Sequence, residues 1–389
     1  MPNETIQGPL GCTKTELPEL IDMVNAVFRP DGAQNIFTDY PLVYGDENLA
    51  NIRLIRVGGA IAAEVPFLAW PVEHAGCRIK VGIISATATH ADHRMRGHGL
   101  RCLNSCVQRM TELGVDLSVL WTRVPTFRFY HHAAYEAVGD QGATFDCTRA
   151  DAARFGDGGH TIATYDPNTR QFLANIQSLH TSGPTGIVRT TEQAATLLAL
   201  PRLKTLLALR ENQPAAYLCV SASSNKAGII EGAGDPPALE TLMQHALTQL
   251  EDDEPVRVHT PSCPTVLEAL MRRALPDRKP GSGDNMMVRI NDVPGFLRKI
   301  APWLARQHGD GSASVSIHIT DADQTVALDF ADGTMTVCAQ RRPQHVQMSR
   351  RALTAAIFGP HEACPHEPPP AELARLFPFT FPIWVLDRS

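Results

Sequence analysis

Residues 93–100 read HRMRGHGL and place Arg94, Gly97 and Gly99 in the spacing R-x-x-G-x-G. The preceding run, VGIISATATHAD, has the pattern of a strand, and the following run, RCLNSCVQRMTELG, that of an amphipathic helix. Glycines at such a junction let consecutive amide N–H groups face one concavity, and the positive end of the helix adds to the pull on an anion. A pyrophosphate suits that cradle. The phosphate-loop ending G-K-[ST] and the dinucleotide pattern G-x-G-x-x-G are both absent from the chain. Two histidine groups invite a metal reading. His90, Asp92, His93 and His98 share a single turn, while His361, Glu362, Cys364 and His366 share the proline-rich PHEACPHEP. Ligands gathered on one loop without supporting strands favour solvated loops over a zinc site, so no metal is expected. His131 and His132, after FRFY, are expected to cap their loop.

The elements around the glycine turn have to hold it in place. Leu17, Leu20, Ile21, Val24 and Phe28 recur at helical spacing over residues 15–28, with Pro18 in the first turn. A three-strand meander follows, punctuated by Gly-Gly and Ala-Gly turns. Beyond the basic turn, Leu100, Leu103, Val107 and Met110 mark one helix face, Cys102 and Cys106 serve as small packing residues, and Gly114 ends the helix. VDLSVLW then reads as a buried strand, RVPTFRFYHHAAYEAVG as a short connecting segment, and residues 143–148 as a further strand. The first domain is expected to span 1–153. The second, 154–285, is expected to have helices near 167–180 and 191–210, strands AAYLCV and AGIIEGAG, and the helix PALETLMQHALTQL. It echoes the first domain, but the acidic EGAGDPPA replaces the basic turn and is a poorer phosphate holder. The third, 286–389, reads as a small α+β domain with a Pro-containing helix near 293–306, a meander and the helix SRRALTAAIF.

The bulk properties exclude several classes. The 389 residues carry a net charge of −6, so no global basic field favours nucleic acid. No apolar run approaches the roughly 18 residues of a membrane span, and the first residues lack a basic segment followed by an apolar core. A cytoplasmic protein without a membrane partner is expected. Nine cysteines, an odd count with no C-x-x-C pair, point to free thiols.

The order of helix, meander, basic turn, crossover helix, strand and FRFYHHAAY resembles the GCN5-related N-acetyltransferase (GNAT) superfamily. TATHADHRMRGHGL is similar to its acyl-CoA pyrophosphate signature and FYHHAAYEAVG to its later tyrosine segment. With a degenerate second GNAT-like domain and a C-terminal sterol-carrier-protein-like domain, the whole chain resembles the Eis-type (enhanced intracellular survival) acetyltransferases. The resemblance implies an α/β fold with a mixed central sheet, acetyl-CoA as acyl donor and a primary amine as acceptor, for example an aminoglycoside, a small amine or lysine. Thr87, Ala88 and Thr89 would offer backbone to the pantetheine arm. Arg94, Met95, Arg96, Gly97, His98, Gly99 and Leu100 would wrap the pyrophosphate. Tyr130 would be the general acid, and the carboxylate of Ser389 the general base, with Asp387 as a substitute.

Two departures from the family stand out: HAAY replaces an arginine-rich turn with a glycine before the second tyrosine, and LDRS replaces an apolar ending. The alternative function is a non-catalytic protein that binds an apolar ligand through its C-terminal domain and keeps only a vestigial acetyltransferase fold. Oligomeric state is left open, a homo-oligomer included.

Overall fold

The structure is a computed structural model and describes residues 5–32, 34–139, 142–183, 186–223, 227–251 and 255–389. The chain divides into two compact units, Met1–Asp140 with Asn285–Phe379, and Gln141–Asp284 with Thr380–Ser389.

The first unit begins with β1 (Ile6–Gly11), α1 (Leu17–Phe28), α2 (Ile36–Asp39), β2 (Ile52–Val57), β3 (Ala60–His74), β4 (Cys77–Ile84) and β5 (Ala88–Thr89). It continues through α3 (His98–Glu112), β6 (Leu117–Trp121), α4 (Phe127–His131) and β7 (Glu136–Ala137). The long strand β3 pairs with β2 along its first half and with β4 along its second. The apolar face expected of α3 is present: Cys102, Leu103, Cys106 and Met110 are buried with Ala63, Val65 and Phe67 of β3. A side chain at Gly82 would come within 2.8 Å of the Met110 sulfur, so the glycine lets α3 lie close on β4. The Cys102 and Cys106 thiols donate to the Ala63 and Val65 carbonyls. Burial pushes the Cys102 thiol up to about 12, which makes it an inert packing group.

The second unit contains β8 (Ala143–Cys147), β9 (Thr161–Thr164), α5 (Leu173–Thr181), α6 (Thr191–Leu198), β10 (Leu203–Arg210), β11 (Gln213–Ser221) and β12 (Gly228–Gly234). It ends with α7 (Pro236–Thr248), β13 (Val256–Thr260), α8 (Val266–Ala274) and β14 (Gly281–Ser282), in a sheet of order β14-β8-β13-β12-β11-β10-β9. Two sequence expectations differ here. The strand at 143–148, read as the end of a first domain, pairs with β13 and so lies in this unit. The helix expected over 191–210 stops at Leu198. LKTLLALR has helix-forming residues, but Arg202 turns the chain at φ +63° and β9 and β11 flank the segment as a central strand.

The chain returns to the first unit with β15 (Met286–Ile290), α9 (Val293–Lys299), α10 (Ala301–His308), β16 (Ala313–Ile319), β17 (Gln324–Ala331), β18 (Thr334–Cys338), β19 (His345–Met348), α11 (Arg350–Phe358) and α12 (Ala371–Ala374). β15 inserts between β6 and β7, which gives the first sheet the order β1-β2-β3-β4-β6-β15-β7. The expected meander forms a separate sheet, β18-β17-β16-β19, of which β19 was unforeseen. Among the described residues, no helix is long and apolar enough to cross a membrane.

Candidate functional site

The site begins where two strands part. β4 and β6 pair in parallel only from Val81↔Leu117 to Ile83↔Val119. Past Ile83 the chain leaves that partner, runs without regular structure through residues 85–87, and re-pairs as β5 on the other side, with Ala88 opposite Glu64 and Thr89 opposite Ala63 of β3. The backbone of Thr87–Thr89 therefore borders a wedge open on the β6 side. An extended ligand arm can add to that edge as a strand would.

The basic turn sits at the head of the wedge. Met95 and Gly97 both take left-handed backbone, at φ +61° and +78°. Gly97 is the residue before α3, and no side chain caps that helix. Left-handed residues on either side of Arg96 turn successive amides toward one concavity, and the uncapped helix end presents its own free N–H groups there. Gly99 matters for a different reason: a Cβ there would approach Thr89 Oγ1 to 3.1 Å, so the threonine would have to shift by a few tenths of an ångström. Arg94 donates from Nε to the Thr89 carbonyl at 3.3 Å and ties the turn back to β5. Met95, Arg96 and Gly97 are exposed.

His98 and Leu100 behave differently from the rest of the turn. His98 is only 5% exposed. Burial, then the charges of Arg101, His93 and Arg96, lower its pKa, so it contributes a neutral ring rather than a cation. Leu100 packs on the apolar core beneath α3.

Tyr130 comes from α4 and is 8% exposed. Its ring stands edge-on to Phe129, with centroids 4.9 Å apart, and to Tyr135 at 6.0 Å. Burial raises its phenol pKa above the ordinary range, and a hydrogen bond with the Thr87 side chain acts in the opposite direction. The phenol is therefore protonated at neutral pH and lies beside the open strand edge. Tyr135 is fully buried and its hydroxyl meets Ser118 Oγ at 2.5 Å, which makes it a packing residue. The turn between the two tyrosines lacks the family's glycine, yet Ala134 takes φ +59°, the conformation a glycine would adopt there. The local path is retained at the cost of some strain.

An open strand edge, an uncapped helix end preceded by left-handed turn residues, and a phenol thus come together in the first unit. Residues 11–138 match the family model described as an acetyltransferase (GNAT) domain. That segment is similar to GNAT acetyltransferase domains. The GNAT fold also extends beyond that segment. A probable N-acyltransferase from Enterococcus faecalis superimposes with a TM-score of 0.71 at 16% identity, covering 92% of this chain and 90% of that one. A GCN5-related N-acetyltransferase from Kribbella flavida gives 0.64 at 17%, covering 91% and 88%. Eis1 from Mycobacterium abscessus gives 0.61 at 15%, covering 91% and 90%. No curated protein matches the sequence.

The GNAT domain contains one buried group that the sequence reading missed. Glu64 of β3 is fully buried, and the Ala88 amide is the polar group that faces it, too far or too poorly aligned for a well-formed hydrogen bond; the buried Tyr44 hydroxyl lacks a partner too. Burial pushes the Glu64 carboxyl well above the usual range, and the Ala88 amide offsets this only in part. The signal was present in AIAAEVPFLAW, where one carboxylate interrupts a buried apolar run. Carboxylates are almost never buried without a partner unless function holds them there.

The second unit has the corresponding strand-to-helix turn in closed form. Asp235 precedes α7 and pairs with Arg210, and Pro236 and Pro237 remove two amides that an anion would otherwise use. Glu231 lies on β12 rather than in the turn, in a buried network. Arg189 donates to Glu231 Oε1 at 2.9 Å and to Asp387 Oδ1 at 2.8 Å, and the Tyr217 hydroxyl donates to Glu231 at 2.6 Å. Asp387 also accepts from the Trp384 amide, so it is committed to structure and unsuited to serve as a substitute base. Ser389 is fully buried in the same unit, with its amide bonded to the Leu386 carbonyl.

Proposed function

We propose that the protein transfers an acetyl group from acetyl-CoA to a primary amine. The pyrophosphate would lie on the amides of Met95–Leu100 and the pantetheine arm along Thr87–Thr89. The amine nitrogen attacks the thioester carbonyl, the C–S bond breaks as the tetrahedral intermediate collapses, and Tyr130 protonates the departing thiolate. A thiol of ordinary pKa near 8.5 is the weaker base, so the phenol releases its proton only as negative charge develops on sulfur. The observation that carries this reading is the Tyr130 hydroxyl beside Thr87 at the edge where β4 and β6 separate.

The attacking amine must lose a proton. Glu64 belongs to the same GNAT domain as Tyr130, and a carboxyl raised by burial is a better base toward an ammonium than an ordinary one. We assign it the role of proton acceptor for the amine, at the edge where Ala88 faces it. The resemblance assigns that role to the Ser389 carboxylate, and kinetics of Glu64→Gln and of a chain ending at Arg388 separate the two. A C-terminal sterol-carrier-like module is carried in this proposal by the sheet β18-β17-β16-β19 with its helices.

Thermal unfolding with and without acetyl-CoA tests donor binding. At 100 times its dissociation constant the ligand adds about 2.7 kcal/mol of stability. No shift would favour the alternative, a binding protein with a vestigial acetyltransferase fold.

A further inference from the structure

Two segments distant in sequence, the turn 131–136 and the loop 361–366, meet in the first unit. His131 Nε2, a Glu136 carboxylate oxygen and Cys364 Sγ all lie within 4.8 Å of one another. His131 Nε2 is 3.5 Å from Glu136 Oε1 and 3.9 Å from Cys364 Sγ. His366 Nε2 lies 3.0 Å from the other oxygen, Glu136 Oε2. Donors held about 2.0–2.3 Å from a tetrahedral ion are separated from one another by roughly 3.3–3.8 Å, so only small movements are needed to enclose one. The other members of the PHEACPHEP motif are engaged elsewhere or face solvent. His361 contacts Asn285 Oδ1 at 3.2 Å and accepts from the Ala363 amide, and Glu362 is exposed.

The donor types fit a borderline-soft cation. A thiol set between an imidazole and a buried carboxylate makes poor hydrogen bonds but is a strong ligand once deprotonated. Glu136 is fully buried, and Arg351 Nε holds its Oε2 at 2.7 Å while the Ala137 amide donates to Oε1 at 3.0 Å. A carboxylate offers about four acceptor positions, so both contacts leave room for a metal and orient the ligand as outer partners do.

We propose that His131, Glu136 and Cys364 bind one zinc ion, with the fourth position left to solvent. The ion takes no part in the chemical step of acyl transfer. It staples the 361–366 loop to α4, the helix that carries Tyr130, and so steadies the phenol. Zinc binding expels the Cys364 thiol proton to solvent. The expectation of no metal rested on ligand sets drawn from a single loop, whereas this set joins two.

The test uses the full chain equilibrated with zinc or cobalt and then desalted. Elemental analysis should find about one zinc per chain, and the cobalt form should show a thiolate-to-metal charge-transfer band. Cys364→Ser and His131→Ala should lose the band while keeping the circular dichroism of the parent, and Cys338→Ser should keep both metal and band. Chains that retain no zinc overturn the proposal, as does a band that survives Cys364→Ser or disappears equally with Cys338→Ser.

Discussion

Glu64 stands directly across the β3–β5 ladder from Ala88, its carboxylate without a well-formed hydrogen bond, at the strand edge where the acyl donor is proposed to lie. As a base it must be ionised, so activity should fall as pH drops through its folded-state pKa, which burial places above the ordinary carboxylate range. The acid limb of kcat/KM should therefore lie well above pH 4.5, and Glu64→Gln should abolish that limb along with most turnover. Stability should move the other way. Between the unfolded and folded pKa values the native state holds the extra proton, so stability falls as pH rises through that window. Glu64→Gln removes the penalty, and its Tm advantage over the parent should grow with pH.

Tyr130→Phe keeps the ring packed against Phe129 and Tyr135 and removes only the hydroxyl. Acetyl-CoA should bind nearly as before while kcat falls by about 10²–10⁴-fold. Stopped-flow turnover and calorimetric titration of the same preparation separate the two effects.

The turn should grip through backbone. Gly97→Pro removes an amide and cannot adopt φ +78°, whereas Arg96→Ala removes an exposed side chain and leaves the amides in place. Calorimetry should find acetyl-CoA binding much weaker in Gly97→Pro, with Arg96→Ala close to the parent. Gly99→Ala should also weaken binding, because its methyl group must displace Thr89.

In the second unit Arg189 neutralises two buried carboxylates. Burial alone would raise the pKa of Glu231, but Arg189 and then His180 hold it far below the usual range. Arg189→Met leaves Glu231 with His180 and Tyr217, and Asp387 with the Trp384 amide, to offset burial. Denaturant unfolding should show a loss of about 3–5 kcal/mol, recovered in part by adding Glu231→Gln.

Elements built on local periodicity were legible in the sequence. α1, the meander β2–β4, α3 with its buried cysteines, and the glycine turn all lie where spacing and cap residues place them. Long-range pairing was not legible. Nothing local in MMVRI tells that β15 enters the first sheet between β6 and β7, or in ATFDC that β8 joins the second. β10 was misread because leucine serves helix and strand alike, and only its neighbours decide. The same limit applies to the site. The turn and FRFY were visible as motifs, while Glu64 required knowing that its strand is buried on both sides, and the group formed by His131, Glu136 and Cys364 required a contact across more than two hundred residues.

The most direct measurement is acetyl-CoA-dependent thiol release over a panel of primary amines, parent beside Tyr130→Phe. The account predicts amine-dependent release by the parent, formation of the N-acetyl product by mass spectrometry, and a loss of about 10²–10⁴-fold in the variant. No release with any amine, or equal release by parent and Tyr130→Phe, would contradict it.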